Sequence, residues 1–306
     1  MLALLSRRLA QALLILLGVA AITFVLLYAL PADPARMLAG RSATTQTVAN
    51  IRHELGLDQP LPAQFAHYLG QLAQGKLGRS YTQKTEVATL IVARLPATLT
   101  LMAAGICVEV SLGLALGVLA ALRRGGLADR VVMMAAFVGV SAPQFIVALL
   151  LLYLFAATLG WFPMSGYGTF AHVVLPALTL GVLGAGWYAR MVRSAMIDVL
   201  QQDYIRTARA KGLRATRIVL RHALPNAVLP VIAMIGIDIG QFMGGVVVVE
   251  AVYGWPGIGQ LAWQAIQQVD IPIIMGVTLV SAVAIVLGNL LADLAAPFID
   301  PRIRTH

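Results

Sequence analysis

ATLTLMAAGICVEVSLGLALGVLAAL, running from Ala97 to Leu122 and followed at once by Arg123 and Arg124, contains a single charged residue, Glu109. A helix needs about 20 predominantly apolar residues to cross the hydrocarbon core of a bilayer, and there it satisfies all its own backbone groups. The stretch therefore reads as a membrane-spanning helix. Working outward, comparable runs lie at about 9–30, 131–156, 173–193, 227–249 and 276–297, which makes six predicted spans.

Composition agrees along the whole chain. Of 306 residues, 59% are hydrophobic and 11% charged, against roughly 25% charged in a soluble domain; mean hydropathy is +0.85. The lipid bilayer is the main solvent, and the expected fold class is an all-α integral membrane protein. The first run follows Arg7 and Arg8, as in a signal peptide. At Leu9 to Leu30, however, it exceeds the usual apolar length of about 7–15 residues, and Pro31-Ala32-Asp33-Pro34 follows in place of a small-x-small cleavage site. It is read as a retained first span.

The formal charge of +9 does not mark a nucleic-acid binder, because the basic residues sit between apolar runs without interleaved stacking aromatics. They alternate from loop to loop instead. Arg7, Arg8, Arg123, Arg124, Arg130, the Arg190 to Arg221 group, Arg302 and Arg304 make up fifteen of the 22 Lys and Arg, and most of the other seven lie in one long loop, where the bias counts least. This predicts both termini in the cytoplasm. Cys107 is the single cysteine, which excludes an intrachain disulfide or a cysteine metal cluster. No metal or cofactor is expected.

Residues 31–95 are too polar to span and too rich in helix formers for a tether. They are expected to form a small helical domain on the outer face, between a first unit at 1–30 and a transmembrane core at 96–306. Gly70 to Lys76 spells G-x-x-x-x-G-K, but Leu77 replaces the Ser or Thr that holds Mg²⁺ in a phosphate loop, and no strand precedes it. No ATP site is expected there.

The segment at about 195–226, between the fourth and fifth predicted spans, is the most informative. It includes Asp203-Tyr204-Ile205-Arg206-Thr207-Ala208-Arg209-Ala210-Lys211-Gly212-Leu213 and ends Arg221-His222-Ala223-Leu224-Pro225-Asn226. Its charge density is high, yet Ile205, Ala208, Leu213, Ile218, Leu220 and Leu224 recur at helical intervals. Two short helices, 201–211 and 214–222, meeting at Gly212 fit this pattern, since Gly is favoured just past a helix end and Lys211 suits the negative end of the dipole. Such a segment can be gripped by a soluble motor domain or can rest on anionic headgroups. The residues alone leave both open.

The segment resembles the EAA loop of ABC importer permeases: Glu-Ala-Ala, three residues, Gly, nine residues, Ile, one residue, Leu-Pro. Arg206-Thr207-Ala208 stands at the Glu-Ala-Ala positions, Gly212 at the Gly, His222 at the Ile, and Leu224-Pro225 at the Leu-Pro. With Glu and Ile replaced, it is similar to the variant in dipeptide, oligopeptide, glutathione and nickel permeases. Leu30-Pro31-Ala32-Asp33-Pro34, Leu55-Gly56-Leu57-Asp58-Gln59-Pro60, Tyr253-Gly254-Trp255-Pro256-Gly257-Ile258-Gly259 and Asp300-Pro301-Arg302 extend the resemblance over nearly the whole chain. It implies a permease subunit of the bacterial or archaeal plasma (inner) membrane that forms half of a translocation pathway with a second homologous permease subunit. An external substrate-binding protein would deliver the cargo. Two ABC ATPase subunits would engage the loop through Asp203, Arg206, Thr207, Ala208, Lys211, Gly212, His222, Leu224 and Pro225, and would carry the ATPase activity, so that this chain is no enzyme. Peptides are the expected cargo, with nickel chelates and glutathione kept open.

Carboxylates inside spans are expensive and mark functional candidates. Glu109 and Asp238 qualify, either lining the pathway for a cationic or zwitterionic substrate or holding a structural hydrogen bond; Glu250 and Asp293 fall near predicted span ends, within reach of water. Gly236, Gly240, Gly244 and Gly245 recur at about one turn, which suits close helix packing or a pathway wall. Ser141-Ala142-Pro143 interrupts the third span and predicts a bend. Trp255 reads as an interfacial anchor or a vestibule lip. Two rival classes are an intramembrane serine protease using Ser141, which lacks a histidine within any span to serve as base, and a proton-coupled carrier using Glu109 and Asp238, which lacks the internal repeat common in carriers.

Overall fold

The computed structural model describes residues 2–29, 34–39, 43–54 and 56–299; among these the chain is all-helical, with one isolated antiparallel bridge between Arg79 and Glu86. Leu30 to Asp33, and Asp300 to Arg304 of the predicted cytoplasmic end, lie outside the described residues. Four helices are long and apolar enough to cross a membrane: α1 (Leu2–Ala29), α5 (Val87–Leu122), α8 (Phe170–Leu200) and α15 (Ile271–Ile299). Between the first two come α2 (Pro34–Ala39), α3 (Thr45–Glu54) and α4 (Leu61–Ala73). In α4 the phosphate-loop look-alike ends a helix instead of opening one: Gly70 is helical, and Gly75, at φ +73°, follows the last turn.

The third predicted span, 131–156, is not one helix. α6 (Leu127–Ser141) and α7 (Gln144–Leu151), which continues as a π-helix over Leu152–Thr158, meet at 105°. Pro143 has no N–H to continue the ladder and pushes Ala142 into an extended conformation (φ −74°, ψ 131°), so the helix stops where a mere bend was expected. The fifth run also follows a break. α9 (Asp203–Ala210), α10 (Ala215–Arg217), a π-helical turn at Ile218–Ala223 and α11 (Leu224–Ala227) lead into α12 (Leu229–Gly245), with a 47° bend between the last two. α13 (Val247–Val252) and α14 (Ile258–Gln268) then precede α15. Counting each bent pair as one gives at most six spans.

α5 starts ten residues before the predicted boundary because Pro96 sits inside the helix instead of ending it. At about 1.5 Å per residue its 36 residues run to about 54 Å, well beyond the hydrocarbon thickness of about 30 Å. Residues 87–95, assigned to the outer region, are the first turns of this helix.

α5 and α8 form the central pair. Their approach depends on small residues: a Cβ at Gly113 would overlap Tyr188, one at Gly181 would overlap Val108, and one at Gly117 would lie 2.7 Å from the Ala189 carbonyl oxygen. Without a hydrophobic force between helices in lipid, such close contact is what holds a pair together. α6 is tied to α8 at one end, where Arg193 donates to both oxygens of Asp129 (2.6 and 2.7 Å) and the Gly125 N–H donates to Oδ2 (2.9 Å). Asp129 is buried while Arg193 is partly exposed. Breaking a fully buried pair costs about 3–5 kcal/mol; discounted for exposure, Asp129→Ala is expected to cost about 1–3 kcal/mol. A lower melting temperature of the detergent-solubilised protein would register it, and an unchanged one would contradict it.

Candidate functional site

In the basic segment the apolar positions turn inward. Ile205, Ala208, Ile218, Ala223 and Ala227 are buried in one cluster with Tyr188, Val192 and Met196 of α8, with Leu213 and Leu224 packed at its edge. Asp203, Arg206, Thr207, Arg209, Lys211 and Pro225 are exposed, and His222 is half-buried. α9 ends at Ala210, the Lys211 and Gly212 N–H groups donate to the Thr207 and Arg209 carbonyls, and Gly212 takes φ +72°. No atom lies within 4 Å of where a Gly212 Cβ would stand. The Asn226 amide donates to Tyr204 Oη (3.1 Å) and to the His222 carbonyl (3.0 Å), which clips the second limb of the segment back onto α9. The predicted first helix, 201–211, begins later than expected because α8 continues to Leu200.

The second site is a cavity of about 430 Å³ between α5, α8 and α12 and the α6–α7 break. Glu109 and Asp238 both line it, with Gln144, Gln241, Trp187 and Tyr188. Tyr188 Oη donates to Asp238 Oδ2. Glu109 is only 4% exposed, and its Oε2 has no hydrogen-bond partner among the described residues. Its carboxyl lies against Gly184, where a Cβ would overlap it. Ser141 and Pro143 do not line this cavity, although their neighbours Ala142 and Gln144 do. Gly240 borders an adjoining cavity of about 480 Å³, and a Cβ there would stand 3.3 Å from Ile285, so it also sets the approach of α12 to α15.

Two further carboxylates lie buried outside this cavity. Glu250, expected near water, is fully buried: it accepts from Thr98 Oγ1 (2.8 Å) and from the Gln260 N–H (2.8 Å), and a Cβ at Gly257 would overlap it. Trp255 is no interfacial anchor, since it is wholly buried and its Nε1 donates to the Ala97 carbonyl (2.9 Å). Asp270, also fully buried, gathers Ser80 Oγ (2.5 Å), Thr82 Oγ1 (2.6 Å) and the Thr82 and Tyr81 N–H groups. Burial pushes its carboxyl up, but these hydrogen bonds outweigh burial and hold it below the ordinary range. The glycines packed against Glu250 are the signal of its burial that the sequence carries: Gly257 and Gly259 follow it closely.

The fold is that of a multi-pass helical membrane protein with a cavity among its long helices. Residues 113–305 match the family "Binding-protein-dependent transport system inner membrane component", residues 1–102 match its N-terminal region, and the chain belongs to this family. It is 42% identical over 289 residues to the glutathione transport system permease protein GsiC of Pectobacterium atrosepticum, covering 94% of each chain. It is 41% identical over 306 residues to "Probable peptide ABC transporter permease protein y4tP" of Sinorhizobium fredii, covering 97% of this chain and 98% of that one. Among solved structures it resembles the MetNI methionine ABC transporter in inward-facing conformations, with 22% identity and TM-score 0.58 over 69% of this chain and 96% of that chain. It also resembles an amino acid ABC transporter with histidines, at 15% identity and TM-score 0.51 over 69% and 94%. At these identities the structural likeness concerns the fold. The chain is thus a permease component of an ABC importer in the inner membrane, not itself catalytic, which sets aside the protease and carrier alternatives.

Proposed function

We propose that this permease forms half of the path of an ATP-driven importer for glutathione or similar short peptides, paired with a second homologous permease subunit. A binding protein delivers the solute outside, and two ATPase subunits hold the basic segment at 195–226 and supply the hydrolysis. Both termini are cytoplasmic, the spans number six with each bent pair as one, Glu109, Asp238 and Gly240 belong to the pathway wall, and Ser141 and Pro143 form the break beside it.

The observation that supports this most is the seating of the basic segment. A helix that rests on headgroups needs its apolar face free for lipid. Here Ile205, Ala208 and Ile218 are already buried against α8, and what faces outward is a rim of Arg and Lys with the exposed apolar Tyr204 and Leu220. A push on that rim reaches α8, which carries Tyr188 into the cavity wall. The substrate class rests on the names of the relatives.

The test is reconstitution with the partner permease, both ATPases and the binding protein. ATP-dependent glutathione uptake is expected, with no ATP hydrolysis by the purified single chain; hydrolysis by that chain would contradict the assignment. Reporter fusions after Arg124 and after Lys211 are expected to report the cytoplasm, and an external signal at either would overturn the orientation.

A further inference from the structure

We infer that the cavity between α5, α8 and α12 receives the primary ammonium group of the cargo between Glu109 and Asp238, a role that presupposes the permease function proposed above. Buried polar groups are normally satisfied, and an acid within a span is retained at a cost. Glu109 departs from the first rule: it is buried, it opens on the cavity, and its Oε2 has no partner among the described residues. Gly184 is what leaves room for it there. A group built to be satisfied by a ligand has this form.

The surroundings define the ligand. Asp238 stands on the same cavity wall, oriented by the Tyr188 hydroxyl, and no Lys, Arg or His lines the cavity among the described residues. Arg190 stacks on the Trp187 ring, 4.4 Å from its centroid, but is not a lining residue. The two carboxyl groups and the amide oxygens of Gln144 and Gln241 supply acceptors for a donor-rich cation. An ammonium, with three donors, matches that set. A transition metal prefers imidazole or thiolate ligands, which the cavity lacks. The volume of about 430 Å³ suits a small solute. Glu109 and Asp238 would therefore select cargo with a free amino terminus after the binding protein has released it.

The experiment uses the complete complex in proteoliposomes without the binding protein, so that selectivity comes from the membrane subunits. Glu109 is labelled with dicyclohexylcarbodiimide and the labelled peptide is followed by mass spectrometry, with glutathione, N-acetylglutathione or nickel chloride as protecting probe. Glutathione is expected to slow labelling while N-acetylglutathione at the same concentration does not. Asp238→Asn is expected to raise the glutathione concentration needed by about tenfold, the loss of one charge-assisted hydrogen bond. Equal protection by the acetylated form, protection by nickel alone, or no protection by glutathione would each overturn the inference. If Asp238→Asn fails to assemble, the wild-type comparison still decides. ATP-driven glutathione uptake, measured in the same preparation with binding protein added, reports on the proposed cargo separately: uptake without protection removes only the ammonium site, whereas lack of uptake removes the glutathione-importer reading.

Discussion

Replacing Gly212 by valine is expected to abolish ATP-driven uptake while leaving the chain inserted and nearly intact. Gly212 takes φ +72°, a conformation that a β-branched residue reaches only with strain, at a cost of about 1–3 kcal/mol. Nothing lies within 4 Å of the added Cβ, so the cost is conformational and not a clash. The strain is relieved by leaving the left-handed region, which breaks the Leu213 N–H to Ala208 carbonyl bond and swings the limb that starts at Ala215 away from α9. The basic rim then no longer presents one surface. Gly212→Asn supplies the control, because Asn tolerates the left-handed conformation and should retain most of the transport. Uptake and co-purification of the ATPase subunits measure the effect. Normal values of both for Gly212→Val would sink the docking role of this segment.

That turn was legible because its signal is local: Gly after a helical run, with a cation at the helix end. The long apolar helices were legible for a similar reason, since hydropathy over about 20 residues is a property of the chain itself. What the sequence concealed were pairings between distant segments. The Ser141-Ala142-Pro143 break could be placed but not its 105° angle, which depends on how α7 packs beyond it. Glu109 and Asp238 could be named as intramembrane acids, yet their meeting on one cavity depends on how α12 packs against α5 and α8. Pro96 misled in the opposite direction, as a proline within a membrane helix is tolerated where neighbouring helices support it.

Glu250 shows the concealment most fully, and it gives the second large effect. In sequence it precedes a Trp-Pro-Gly turn and looks like the wet end of a span. In the fold, that turn carries the start of α14 back over it: the Ile258 N–H donates to Thr98 Oγ1 (2.8 Å), Thr98 donates to Glu250 Oε1, and the Gln260 N–H donates to Oε2. One side chain thus joins α5, α13 and α14, and the carboxylate sits at the positive end of the α14 dipole. Glu250→Ala leaves the buried Thr98 hydroxyl and the partly buried Gln260 N–H without their acceptor, at about 1–3 kcal/mol for the first and less for the second. It is expected to lower the melting temperature of the solubilised protein markedly and to reduce its abundance in membranes severalfold. Glu250→Gln keeps one acceptor and should fall between. The signature is the reverse of Gly212→Val: here the amount of folded permease drops, while each surviving molecule still couples hydrolysis to transport. A Glu250→Ala protein that melts like the wild type would show that the three helices are held by their apolar contacts alone.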